Sequence, residues 1–202
     1  MIDYPTLEKA LKKNEFTPYL FETISDAIDY LLKTLNPAES IGMGGSMTIQ
    51  DSGLYEKLIE AGYQVHWHWN APIEQWYEIR EEARHAVIYI CTANSVSMDG
   101  KLVFMDGASN RVSAMLYGPR DVYLLVGKNK ICTDLSSARK RIFDVVAPKI
   151  SKLKNYKTPC KETGKCYDCA TTDRYCRVEV ILHKKPRDVN MHVFLIDEEL
   201  GY

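Results

Sequence analysis

The 202-residue chain carries 26 Lys and Arg against 27 Asp and Glu, a formal net charge of -1, with 46% apolar and 26% charged residues. This is ordinary globular usage, enough for one domain whose core folds without disulfide staples, and the balanced charge lacks the basic excess that nucleic acid or an anionic membrane surface draws. No run approaches the ~18 apolar residues of a membrane span, and MIDYPTLEKALKKNE has no apolar signal core, so a cytoplasmic setting is expected, where clustered cysteines serve metal or redox chemistry.

In chain order, Leu7, Ala10 and Leu11 recur at helical spacing over Thr6 to Phe16, with Thr6 as the cap. An extended piece, Pro18 to Phe21, precedes a second helix capped by Ser25, whose Ala27, Ile28, Leu31 and Leu32 form one stripe. Ser40 to Met43 reads as a strand broken at Gly44-Gly45. The following helix turns Leu54, Leu58 and Ile59 inward and stops near Gly62. Tyr63 to Trp67 is the next strand, Pro72 to Ala83 a helix, and Ala86 to Cys91 an apolar strand. Asp99-Gly100 predicts a two-residue hairpin turn within Ser95 to Met105. Val122 to Val126 is the clearest buried strand, and Asp134 caps a helix presenting Leu135, Ala138, Ile142 and Val145. Strands are further expected at Val178 to His183 and His192 to Ile196.

The alternation predicts an α/β domain over residues 1–153, with a mostly parallel open sheet and helices on both faces. Residues 154–202 add a cysteine-rich loop and C-terminal strands that complete the same domain.

Three stretches carry candidate chemistry. Gly42 to Thr48 (GMGGSMT) joins a strand to a helix, where Gly44 and Gly45 permit close backbone approach and Ser46 and Thr48 add hydroxyl donors for an anion. It matches neither the dinucleotide fingerprint nor a P-loop, and a tight turn capped by Ser46 explains it equally simply. The second stretch, from Asn94 through Asp99-Gly100 to Asp106-Gly107 and Asn110-Arg111, is dense in groups that orient an anionic or polyhydroxyl ligand. Arg111 suits a carboxylate or phosphate, and Asp99 or Asp106 suits a base. Turn and cap formation accounts equally well for each residue alone, whereas as a group they favour a site. Lys130, after the strongest strand, shares the sheet edge with the glycine loop and is a third catalytic candidate.

The third stretch, Cys160-x5-Cys166-x2-Cys169-x6-Cys176, sets four thiols within 17 residues. Four thiolates suit zinc or an iron–sulfur cluster; two disulfides or unpaired surface thiols are the alternatives. Cys91 and Cys132 read as core residues. His66 and His68 read as structural, Trp67 and Trp69 as core aromatics with flanking of a pocket as the alternative, and Glu198 as a late carboxylate.

GMGGSMT at 42–48, ANSVSMDGKLVFMDGASNRVSAM at 93–115, YGP at 117–119, VGKNKI at 126–131, the TPC…TGKCYDC…DRYC block and the terminal DEELGY together resemble the LUD domain of the lactate-utilization family, including its LutC-like members. The resemblance implies a fold like that of sugar-phosphate isomerases and CoA transferases, in which the loop resembling 42–48 holds phosphate. It also implies a link to oxidation of L-lactate to pyruvate beside iron–sulfur partners. The cysteine tail departs from compact LutC-like members.

Two functions follow. One is binding of a small anionic metabolite, an organic acid or sugar phosphate, on Gly44, Gly45, Ser46, Thr48, Asn94, Asn110 and Arg111, with proton transfer beside a carbonyl. The other is a non-catalytic redox or assembly subunit with a four-cysteine metal or iron–sulfur site, working with redox partner proteins or as a homo-oligomer.

Overall fold

The computed structural model describes residues 2–202 and contains two sheets. Six parallel strands form the larger one, in the order β1 (Thr17–Phe21), β10 (Asn190–Ile196), β7 (Asp121–Gly127), β4 (Ile88–Cys91), β2 (Ile41–Met43) and β3 (Val65–His66). The smaller has the order β8 (Ile131–Cys132), β5 (Ser95–Ser97), β6 (Leu102–Asp106) and β9 (Val178–Leu182). Here β6 runs antiparallel to both neighbours, while β5 and β8 are parallel.

Side chains of a strand alternate between faces, so a sheet covered on both sides reads as a continuous apolar run. In β7, Val122, Leu124 and Val126 enter one core and Leu125 the other; in β10, Met191, Val193 and Leu195 oppose Phe194 and Ile196 in the same way. Helices α2 (Ile24–Thr34), α3 (Met47–Ser52) and α4 (Leu54–Glu60) cover one face through Ile28, Leu31, Ile49, Leu54 and Leu58. Each fully buried Leu or Ile there contributes roughly 1.5–3 kcal/mol.

The other face differs from the expected layer of helices. It packs on α1 (Tyr4–Lys13), α5 (Trp76–Arg84), α6 (Asn110–Leu116) and also on the smaller sheet, through Val96, Leu102 and Phe104. The far side of that sheet, Val103 and Met105, is covered in turn by Ala138 and Ile142 of the segment that begins with α7 (Leu135–Arg141). Periodicity announced β6 and β9 as strands but not their pairing, which is long-range: Val103 aligns with Ile181. Residues 154–202 thus supply β9 to one sheet and β10 to the interior of the other.

Local chemistry accounts for several departures from the sequence expectations. The first helix is capped by Asp3, which accepts from the Thr6 N–H, rather than by Thr6. Thr23 caps α2 in a reciprocal box with Asp26, two residues ahead of the expected cap at Ser25. Ile59 is exposed, leaving Leu54 and Leu58 to anchor α4. After α7 the chain makes a π-helical turn, Ile142–Val146, before α8 (Ala147–Leu153). The wider turn carries Val146, not Val145, fully into the interior.

The β5–β6 loop has three residues, Met98 to Gly100, not two. Gly100 donates its N–H to the Ser97 carbonyl at 2.8 Å and the Ser97 N–H donates to the Lys101 carbonyl at 3.0 Å. Gly100 takes φ +77°, the left-handed position such three-residue hairpins require. Asn14, just past α1, clamps the loop by donating to the carbonyls of Asp99 and Gly100 at 3.0 and 2.9 Å. The approach is so close that a Cβ on Gly100 would lie 2.7 Å from the Ala10 carbonyl carbon, whereas one on Gly62, also at positive φ, would meet nothing. Gly62→Ala therefore carries only backbone strain, about 1–2 kcal/mol, while Gly100→Ala carries that plus overpacking of about 1–3 kcal/mol. Urea denaturation of the two variants is expected to give the larger midpoint loss for Gly100→Ala.

Candidate functional site

All six strands of the large sheet point their C-terminal ends the same way. The chain steps outward from β2 to β3, then returns to β4 on the other side of β2 and proceeds through β7 to β10. Such a reversal opens a crevice between the two strands that flank it, here β2 and β4, where open α/β sheets bind ligands. A cavity of about 150 Å³ lies there, bordered by the segments following β2, β3, β4 and β7 and by α5, α6 and α8.

Gly45, Ser46 and Thr48 of the glycine-rich segment line this cavity. Gly44 lies behind it, donating its N–H to the Ile90 carbonyl at 3.1 Å and accepting from the Trp67 indole N–H at 3.3 Å. A Cβ at Gly45 would sit 2.5 Å from the Trp69 Nε1, so its missing side chain admits an aromatic wall. Ser46 precedes α3 in the cap position, yet its hydroxyl caps nothing: Oγ is buried and without a hydrogen-bond partner.

Arg111 enters from the first turn of α6 and is 5% exposed. Its guanidinium donates to the Thr92 carbonyl at 3.1 Å, the Asn94 Oδ1 at 2.8 Å and the Met105 carbonyl at 2.6 Å. Nε has no hydrogen-bond partner and stands 3.7 Å from the Asp106 carboxylate. Asn94 Oδ1 also accepts from the Met105 N–H, so its role is to hold Arg111 and β6 together. Asp106 accepts from the N–H groups of Ser109 and Val112 at 3.3 Å, fixing the start of α6 at the cavity edge beside Asn110. Tyr175 closes this side, donating to the Met105 carbonyl at 2.6 Å; burial holds its phenol up at about 12.

Asp99 does not reach the cavity lining. Its carboxylate accepts from Ser97 Oγ in its own hairpin and pairs with Lys101 at 2.6 Å. Of the two Asp-Gly pairs, only Asp106-Gly107 faces the cavity.

Lys130 is 1% exposed and lines the cavity. Its Nζ lies 2.6 Å from Thr48 Oγ1 and 2.8 Å from Thr92 Oγ1, with no carboxylate in salt-bridge range among the described residues. Desolvation, reinforced by the Arg141 and Arg111 charges, pushes its amine well below the usual lysine range.

Four further residues are not apparent from the sequence as site residues. His68, expected to be structural, follows β3 in a 3-10 turn and borders the cavity, buried, with Nδ1 unpartnered. Burial, with Arg80 and Lys154 nearby, lowers its imidazole to about 4, so it is neutral at pH 7. Trp69 faces the cavity, whereas Trp67 packs in the core. Arg80 lies over the Trp76 ring, 5.0 Å from its centroid, with a buried unpartnered Nε, and Lys154 Nζ stands 4.3 Å from the Trp69 centroid. The one available signal was topological: these groups belong to the segment after β3 and to the helices that overhang the same sheet edge.

The lining side chains therefore include three cations, Arg80, Arg111 and Lys154, and the buried amine of Lys130, against one carboxylate, Asp106. Of the five buried, unpartnered side-chain polar atoms among the described residues, four (Ser46 Oγ, His68 Nδ1, Arg80 Nε and Arg111 Nε) belong to residues that line the cavity; the fifth is His192 Nδ1.

The C-terminal cysteines follow a different pattern. Cys160, in α9 (Pro159–Thr163), is buried with its thiol against Ser151 and Thr158; Cys166 is exposed, and Cys169 contacts Thr171. Among the described residues no three His, Cys, Asp or Glu side chains converge to hold a metal. The donor set of Cys160, Cys166, Cys169 and Cys176 does not fit a zinc or iron–sulfur centre in this arrangement, and all four thiols are free.

Among the described residues no helix is long and apolar enough to cross a membrane. Comparison with curated proteins gives no significant match. Among solved structures, a DUF162 family protein from Deinococcus radiodurans, determined at 1.70 Å, superposes with a TM-score of 0.54 at 10% sequence identity, covering 96% of this chain and 95% of that one. At that identity the likeness speaks to the fold. A family profile described as the LUD domain matches residues 4–196, nearly the whole chain. The protein belongs to the LUD-domain family.

Proposed function

We propose that this LUD-domain protein binds a small anionic metabolite in the cavity between β2 and β4, with the anion held by Ser46, Arg80 and Arg111. The observation that carries this reading is that four residues with unpartnered buried polar atoms line one cation-rich cavity. An orphaned buried donor costs about 1–3 kcal/mol, and one bound oxyanion relieves several at once. A single carboxylate among the three cations Arg80, Arg111 and Lys154 leaves room for negative charge, and the walls of Trp69, Trp76, Ile150 and Tyr175 suit a short carbon skeleton. The cavity, about 150 Å³, accommodates a small organic acid. The alternative, a redox or assembly subunit, would draw on the four-cysteine segment, where among the described residues no three possible ligands gather.

Arg80 serves the fold less than Arg111 does, so it is the better probe. A screen of small organic acids and sugar phosphates against the intact protein should yield a ligand that raises Tm. At 100 times Kd that ligand adds about 2.7 kcal/mol of stability. Arg80→Gln should weaken it by roughly 10- to 100-fold, the equivalent of one charged hydrogen bond; calorimetric titration checks this, and unchanged affinity contradicts it.

The pH dependence has a defined sign. His68 is neutral when the cavity is empty, because burial lowers its folded pKa to about 4 from the ordinary 6.5. In the free protein the unfolded chain binds the extra proton, so this group lowers stability as pH falls from about 6.5 toward about 4. A bound anion favours the imidazolium, so affinity should rise with falling pH over the same window. His68→Gln should flatten both trends. Titrations at several pH values give the test, and an affinity that falls toward pH 5 contradicts the placement of His68 beside the anion.

A further inference from the structure

The Lys130 nitrogen has a bonding pattern that the binding reading does not use. Thr92 Oγ1 stands 2.6 Å from the Leu125 carbonyl, and Thr48 Oγ1 stands 3.3 Å from the Leu200 carbonyl. A hydroxyl that donates its one hydrogen to a carbonyl can only accept from an amine. Lys130 therefore donates to both threonines, at 2.6 and 2.8 Å. Two N–H groups are what a neutral primary amine has, and two acceptors leave its lone pair free. A permanently charged lysine would want a carboxylate, and none is within salt-bridge range among the described residues. Thr92 also ties this amine to the anion site: its hydroxyl receives Lys130 and its carbonyl receives Arg111 at 3.1 Å. Lys130 and Arg111 are thus joined through one residue, and both line the cavity.

We infer that Lys130 is a nucleophile that condenses with the carbonyl of a short oxo acid, an aldehyde or ketone carrying a carboxylate, to form an imine. The inference rests on the anion-binding reading and names the substrate class for that site. In the step, the nitrogen lone pair forms a bond to the carbonyl carbon and the carbonyl π bond breaks. The resulting carbinolamine then expels its oxygen as water, which carries both hydrogens of the original amine. Those hydrogens are the two that face Thr48 and Thr92, so the hydroxyls line the route by which protons pass to the departing oxygen. Desolvation among neighbouring cations, which lowers the Lys130 amine, is a recognised way to keep such a lysine neutral.

The probe is glyoxylate, which combines an aldehyde and a carboxylate in two carbons, with cyanoborohydride as the hydride donor that reduces an imine to a stable secondary amine. Exposed lysines at neutral pH are unprotonated to less than about one part in a thousand. Peptide mapping of the intact protein after brief treatment at pH 7 should find the carboxymethyl mark on Lys130 at least about tenfold ahead of any other lysine. Formaldehyde, which has no carboxylate, should lose that preference, and Arg80→Gln should reduce the glyoxylate mark at Lys130. A mark distributed over exposed lysines with Lys130 spared overturns the inference. In that event a carboxylate whose binding still depends on Arg80 leaves the anion site standing, while loss of both removes both.

Discussion

Taking a cation out of water costs several kcal/mol even after the protein relaxes around it, and a fold normally offsets this with a carboxylate. Around the crevice between β2 and β4 the offset is incomplete. Arg111 is held by two carbonyls and an amide oxygen, with Asp106 standing 3.7 Å from its free Nε. The amine of Lys130, pushed well below the usual lysine range by burial, is held only by hydroxyls. Lys154 and Arg80 add their charge from α8 and α5 and rest on tryptophan rings. Other close ion pairs, such as Arg120 with Glu39 and Arg139 with Glu179, are surface bridges of little energetic weight.

The fold tolerates this arrangement by concentrating stability elsewhere. Two apolar cores fill both faces of the parallel sheet, and β10 binds the end of the chain into its middle. Backbone carbonyls from β6 and β7, and from Thr92 just past β4, then serve as fixed acceptors for Arg111 and for the threonine that holds Lys130. Since those acceptors belong to rigid strands and their ends, the charged groups are positioned before any ligand arrives. Preorganisation of this kind is what lets polar groups in a dry site bind or react strongly.

Much of this could be read from the amino-acid order. Alternating strands and helices announced a parallel sheet, and a glycine break after β2 placed Ser46 and Thr48 at its C-terminal edge. Arg111 and Lys130 stood out as basic residues beside that edge. The rest depended on direction and distance, which spacing does not encode. Asp99 and Asp106 both precede glycine, but one turns into a hairpin clamped by Asn14 and the other into the cavity. Alternation in His66-Trp67-His68-Trp69 suggested a longer strand, whereas β3 ends at His66 and the 3-10 turn swings His68 and Trp69 inward. Arg80 and Lys154 look like surface charges on amphipathic helices until the packing of the chain brings them over the same opening. The cysteine spacing suggested a four-thiol site, but Cys160 is buried against Ser151 and Thr158, and among the described residues no three possible ligands gather around a metal position.

One oxyanion satisfying the unpartnered atoms of this cavity is the claim on which the functional reading stands. A crystal structure of the protein soaked with its best-stabilising small carboxylate measures this directly. Carboxylate oxygens are expected within hydrogen-bond distance of Ser46 Oγ, Arg80 Nε and Arg111 Nε, with the ligand carbon chain against Trp69 and its reactive end toward Lys130. A ligand bound elsewhere, with ordered waters alone satisfying those three atoms, would contradict it.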